Sequence, residues 1–206
     1  MTAALLLVLL AYVAGSAPCG YLLGKYLWRV DIRTQGSRNT GATNLARVVG
    51  KPWGPLAFAL AFLLDFGKGF LAVWLANTAA RSGWVLPRAA SWLAVGAGVA
   101  VIVGHNWTMF LGFKGGKGVA TSLGVLACLA PREAGLALLA FLLCFGATRI
   151  VSLSSIVAAV VLPLAAVYLR LRGPVLLFVA LAGILIIVRH RANIGRLLHG
   201  TEKKVF

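Results

Sequence analysis

Acidic residues are scarce in this chain: four Asp and Glu stand against 20 Lys and Arg in 206 residues, a formal net charge of +16. So few carboxylates make chemistry on a carboxylate pair implausible, and no nucleophile–base–acid triad is discernible. Cysteine is nearly as rare. Cys19, Cys128 and Cys144 all sit within apolar stretches, without metal-ligand spacing or a disulfide framework, and read as small hydrophobic filler. No metal site is expected. The N-terminal segment also lacks a basic region. Met1-Thr2 runs straight into a leucine-rich stretch that stays uncharged to Gly24. Gly15-Ser16-Ala17 imitates a leader cleavage site, but the stretch is expected to remain as a first membrane span.

Apolar residues are abundant. They make up 61% of the chain, with a mean hydropathy of +0.94. A soluble domain is nearer half apolar, so the excess calls for a non-aqueous solvent. That argues against a soluble nucleic-acid binder despite the basic balance. Charge-free stretches run 1–24, 52–64, 69–80, 89–113, 118–131, 134–148, 150–169 and 173–188. The second and third are separated only by Asp65-Phe66-Gly67-Lys68 and join into one span, which leaves about seven transmembrane helices. The stretches 118–131 and 134–148 are short. Two crossings are preferred to a re-entrant hairpin, because a hairpin would bury Arg132 and Glu133 at its tip.

The positive-inside rule then assigns sides. One side receives Lys25, Arg29, Arg33, Arg38, Arg47, Lys51, Lys114, Lys117, Arg149, Arg189, Arg191, Arg196, Lys203 and Lys204. The other receives only Arg81, Arg88, Arg132, Arg170 and Arg172. The expected architecture is therefore an all-α integral membrane protein. It is a compact bundle with its N-terminus outside and its C-terminus cytoplasmic, forming one domain over 1–206.

Three polar clusters fall on the expected cytoplasmic side. The first is Gly36-Ser37-Arg38-Asn39-Thr40-Gly41-Ala42-Thr43-Asn44, with Arg47 one helical turn on. Glycines admit an anion to backbone amides, Ser, Thr and Asn add short donors, and Arg adds a bidentate charge. A plain polar turn with Thr43 or Asn44 as helix cap accounts for the string equally well. The second is Gly104-His105 followed by Phe113-Lys114-Gly115-Gly116-Lys117-Gly118-Val119-Ala120-Thr121. A glycine-rich loop opening a helix is a ready phosphate site, though the Walker A spacing is absent. His105 lies deeper, where packing serves as well as chemistry. The third is Arg189-His190-Arg191-Ala192-Asn193-Ile194-Gly195-Arg196-Leu197-Leu198-His199-Gly200-Thr201-Glu202. On one helix, Arg189, Asn193 and Arg196 would share a face. A surface amphipathic helix explains the arginines but does not need the His, Asn and Glu. Arg149 and the serines at 152, 154 and 155 face the same side, and Asp65 with Lys68 reads as a structural ion pair within a span.

In these residues the sequence resembles the bacterial acyl-phosphate-dependent glycerol-3-phosphate acyltransferases of the inner membrane. The strings are GSRNTGATN at 36–44, GHNWTMFLGFKGGKGVAT at 104–121 and HRANIGRLLHGTE at 190–202. LLDFGKG at 63–69 and the Arg149 serine-rich turn follow the same pattern. Arg38 departs from it, since the family commonly has glycine there. The resemblance implies a seven-span bundle with its N-terminus outside. It also implies the first acylation of phospholipid synthesis, in which a long-chain acyl phosphate and glycerol 3-phosphate give 1-acyl-glycerol 3-phosphate and phosphate. Neither acyl-CoA nor acyl carrier protein is the direct donor. No cofactor, nucleic acid or obligate protein partner is expected, only the two substrates and membrane lipid.

With that resemblance, Ser37, Arg47, Lys117, His190 and Asn193 are expected to act at the reacting phosphates. Asn39, Thr43, Asn44, Gly115, Gly116, Gly118, Ser152, Ser155 and Arg196 complete substrate binding. Glu202 is expected to orient basic groups or touch the glycerol hydroxyls. A transporter for a phosphorylated metabolite is the main rival. It would place its site near the midplane between repeats, and no repeat is seen. A lipid-binding scaffold without turnover is the third reading.

Overall fold

The computed structural model describes residues 2–205, and every regular element among them is helical. The chain divides into two compact units, Met1–Val125 and Leu126–Phe206.

The first unit begins with α1 (Thr2–Ser16) and α2 (Cys19–Leu27), bent by 41° where Pro18 interrupts the apolar run. A helix end inside an apolar medium leaves carbonyls that must find donors. Here two side chains join the backbone amides of Ala17 and Cys19 in supplying them. Thr108 Oγ1 donates to the Ser16 carbonyl at 2.5 Å and Lys68 Nζ donates to that of Ala17 at 2.9 Å. Next come α3 (Ala42–Val49) and α4 (Gly54–Arg81), the latter opening with Pro55 in its first turn, where a missing N–H costs nothing. A short turn of 3₁₀ helix leads into α5 (Ala90–Asn106), and a second (Met109–Leu111) leads toward α6 (Val119–Leu129). α5 packs on α1 and α4, and α3 packs on α4. α6 lies against α4 where Gly69 and Gly124 bring backbones together. A Cβ at Gly124 would strike the Phe66 carbonyl, and one at Gly69 would strike that of Thr121.

The second unit contains α7 (Pro131–Thr148), α8 (Val151–Tyr168), α9 (Gly173–Arg189) and α10 (Arg191–Leu198). α8 packs on α7 and α9. Pro163 within α8 cannot donate to the Ala159 carbonyl, and α9 approaches that carbonyl through Gly183. The last residues fold back on this unit, with the Val205 amide donating to the Arg149 carbonyl at 3.3 Å.

Four helices are long and apolar enough to cross a membrane, or up to six if each bent pair is one span. The difference from the expected seven lies in α6. Its 11 residues rise about 16 Å, against a hydrocarbon thickness of about 30 Å. The expected single helix through Arg189, Asn193 and Arg196 is corrected. α9 and α10 meet at 57° at His190, so Arg189 belongs to a different helix from the other two.

Candidate active site

In the first unit, the loop 36–41 is drawn around one side chain. Asn44 is 2% exposed, and its amide nitrogen donates to the carbonyls of Ile32 (2.8 Å), Gln35 (3.2 Å) and Asn39 (2.9 Å). Its Oδ1 accepts from the Ser37 amide at 2.8 Å. All this binding capacity goes to the loop, so Asn44 shapes the cluster from beneath. Neither Thr43 nor Asn44 caps α3. The N-cap is Gly41, and its amide is taken by Asn39 Oδ1 at 2.9 Å. Ser37 is exposed at the loop's surface, and Thr43 and Arg47 are half-buried one turn apart on α3.

Arg38 sits in the left-handed region with φ 57°, which favours glycine over any residue with a Cβ. This is the physical reason for a glycine preference at that position. The Asn39 amide nitrogen donates to the Gly115 carbonyl at 3.5 Å, so the first cluster adjoins the glycine-rich loop across 76 residues. Lys117 is half-buried between the buried glycines 116 and 118, and the latter has φ 81° just before α6 begins.

In the second unit the organising group is a carboxylate. Glu202 Oε1 accepts from Ser152 Oγ at 2.8 Å and from Asn193 Nδ2 at 2.7 Å, and Oε2 accepts from Arg196 Nε at 2.6 Å. The Glu202 side chain is 3% exposed. Burial works against its charge, yet these three hydrogen bonds and the arginine's positive charge hold its pKa below the usual carboxylate range. The α9–α10 bend places His190 in the interior, 2% exposed, with Nδ1 2.7 Å from the Ile186 carbonyl. A carbonyl only accepts, so Nδ1 carries the proton and Nε2 is left with the lone pair in the neutral ring. The Ser155 hydroxyl is buried and donates to the Val151 carbonyl at 2.8 Å.

Three of the four acids are held in ion pairs: Asp31 with Arg33 (2.7 Å), Asp65 with Lys68 (2.7 Å) and Glu202 with Arg196 (2.6 Å). Hydrogen bonds from Arg33 lower the Asp31 pKa to about 2. Negative charge near the clusters is thus compensated locally, which suits anionic ligands. Among the described residues no group of His, Cys, Asp and Glu could hold a metal ion.

The family model described as Glycerol-3-phosphate acyltransferase matches residues 5–200. The chain belongs to this acyltransferase family. A glycerol-3-phosphate acyltransferase of Synechocystis sp. is 48% identical, with 100% of this chain and 94% of the relative covered. One of Gloeobacter violaceus is also 48% identical, with 95% and 91% covered. The fold resembles the crystal structure of PlsY (YgiH), an integral membrane glycerol 3-phosphate acyltransferase, in its glycerol 3-phosphate form. The TM-score is 0.85 at 42% identity, with 98% of this chain and 95% of that one covered. Its lysophosphatidic acid form gives 0.81 at 40% identity, with the same coverage.

Sequence reasoning identified the clusters of this acyltransferase but missed their internal wiring. The Asp65–Lys68 pair was legible from its spacing. The attachment of Lys68 to the α1 break had one signal, Pro18. The Arg196–Glu202 pair agrees with the expectation that Glu202 orients basic groups, whereas the bonds of Ser152 and Asn193 to it had no signal beyond the rarity of acids.

Proposed function

We propose that this acyltransferase transfers the acyl group of a long-chain acyl phosphate to the 1-hydroxyl of glycerol 3-phosphate. The chemistry is a direct displacement. The hydroxyl oxygen bonds to the acyl carbon, the acyl carbon–oxygen bond to phosphate breaks, and the hydroxyl proton leaves with inorganic phosphate or through a protein base. An acyl phosphate is a mixed anhydride and already activated, so no covalent enzyme intermediate is required. Positioning alone can lower such a barrier by about 7–11 kcal/mol.

The observation that carries this reading is that each unit holds an ordered polar cluster suited to an anion. One is the Ser37–Arg47 segment adjoining the Gly115–Gly118 loop, and the other is the Glu202-centred group. Ser37, Arg47, Lys117, Ser155, His190 and Asn193 act on the phosphates, with Asn39, Thr43, Ser152, Arg196 and the backbone of Gly115, Gly116 and Gly118 supporting them. Asn44 and Glu202 order these groups. On this reading 1–206 works as one catalytic domain. By the positive-inside rule both clusters face the cytoplasm from the inner membrane.

The hydroxyl proton goes either to His190 or to an oxygen of the acyl phosphate. The tautomer fixed by Ile186 favours the first. Replacing His190 with Asn or Gln separates them. A fall of about 100-fold or more assigns the base to His190, and a few-fold fall assigns it to the substrate. The donor is tested by supplying glycerol 3-phosphate with palmitoyl phosphate, palmitoyl-CoA or palmitoyl carrier protein to the purified protein. Lysophosphatidic acid is expected from the first alone, and product from either thioester would overturn the acyl-phosphate assignment.

A further inference from the structure

The glycine-rich loop rests on a surface that the reaction itself does not account for. The Gly116 amide donates to the His105 carbonyl at 3.0 Å, so the loop is tied to the last turn of α5. A Cβ on Gly116 would run into His105 Nε2, Cε1 and Cδ2, and one on Gly115 would run into the His105 carbonyl. The imidazole edge is therefore the floor on which Gly116 lies. That ring is not free to swing aside. His105 is 9% exposed, and its Nδ1 stands 3.4 Å from Asp65 Oδ1. Asp65 is 2% exposed and holds Lys68 at 2.7 Å, and Lys68 is fastened in turn to the Ala17 carbonyl at 2.9 Å. A buried chain of polar contacts thus runs from the α1–α2 break through α4 and α5 to the loop carrying Lys117.

We propose that His105 is a positioning residue for the anion-binding loop: held by Asp65, its imidazole sets the height of Gly116 and hence the placement of Lys117. This inference rests on the reading of that loop as a phosphate site. It explains why residue 116 has no side chain at all, a requirement that an ordinary polar turn would not impose. It also gives the buried Asp65–Lys68 pair of α4 a purpose beyond fastening the α1–α2 break. Displacements of about 1 Å at groups that orient a substrate can cost roughly 100-fold in rate, so the ring need not touch substrate to matter.

The test is a double-mutant cycle on Gly116→Ala and His105→Ala, read in two ways on the intact detergent-purified protein. In steady-state kinetics with palmitoyl phosphate and glycerol 3-phosphate, Gly116→Ala is expected to lower kcat/KM for glycerol 3-phosphate by roughly 100-fold. His105→Ala is expected to lower it by about tenfold, through KM more than kcat, because it loosens the loop without removing a ligand. The double variant is expected to recover to within a few-fold of His105→Ala, since the space left by the ring accepts the new methyl. Thermal unfolding of the same four proteins should show the same non-additivity.

Losses that multiply in the double variant, or a Gly116→Ala protein with unchanged kinetics and unfolding, would overturn the proposal. If Gly116→Ala alone cannot be purified folded, recovery of a folded double variant supports the clash, and failure to recover it contradicts it. A wild-type protein without turnover would sink the acyltransferase reading instead, and the unfolding cycle would still decide the packing.

Discussion

Around Asn44 the backbone of residues 32–39 is gathered by a neutral amide, and the neighbouring loop 115–118 is shaped by glycines lying on α5. Around Glu202, by contrast, a single carboxylate collects a serine, an asparagine and an arginine from α8 and α10. The first arrangement orders Ser37, Arg47 and Lys117 without a carboxylate among its hydrogen bonds. The second spends its one acid on orienting donors, and that acid stays ionised because every strong interaction it makes favours the charge. These are two routes to an ordered polar cluster in a chain with almost no acids. One depends on close backbone contact and is sensitive to added volume. The other depends on ionisation and is sensitive to pH.

The largest expected effect falls on the first arrangement. Lys117→Ala should lower phosphate release by about 100-fold or more, while far-UV circular dichroism and gel filtration remain as in the parent. Normal turnover would remove the loop from the anion site. Next comes the second arrangement. Glu202→Gln keeps the shape but turns an amide donor toward Asn193 Nδ2 or Arg196 Nε. It should cost about 1–3 kcal/mol in denaturant unfolding, toward the lower end because Arg196 is 40% exposed and solvent screens that pair.

The same residue predicts the pH response. Its folded pKa lies below its unfolded one, so its contribution is fully present above the ordinary carboxylate range and is lost as pH falls through the folded value. The parent should therefore lose stability more steeply than Glu202→Gln as pH falls below the ordinary carboxylate range. Superimposable acid limbs would show that Glu202 does not couple to folding.

The smallest expected effect sharpens the backbone side of the comparison. Arg38→Gly relieves a left-handed residue, worth about 1 kcal/mol, at an exposed position. A higher melting temperature with unchanged KM values would mean that Arg38 serves only the turn. A raised KM would mean that its charge also serves the anionic substrates.

Much of this organisation was legible in the sequence, because hydropathy and charge act over long windows. The apolar runs gave the helices, and the three polar strings marked both clusters. What escaped was set by tertiary contact. The run 173–202 contains no helix breaker at His190, yet α9 and α10 part there by 57°. Thr43 and Asn44 are both good capping residues, but the amide at the start of α3 is taken by Asn39, and Asn44 turns inward to the loop. Ser152 and Glu202 are 50 residues apart, and nothing local announces their bond. The stretch 118–131 is apolar enough for a span, but its helix stops after 11 residues, with Pro131 opening the next.

Direct transfer without an acyl-enzyme is most sharply tested by rapid-mixing measurement of phosphate release from palmitoyl phosphate, with and without glycerol 3-phosphate. Release is expected only when both substrates are present, linear from the start and matched mole for mole by lysophosphatidic acid. A burst of one phosphate per protein in the absence of glycerol 3-phosphate would reveal a covalent intermediate and contradict direct transfer.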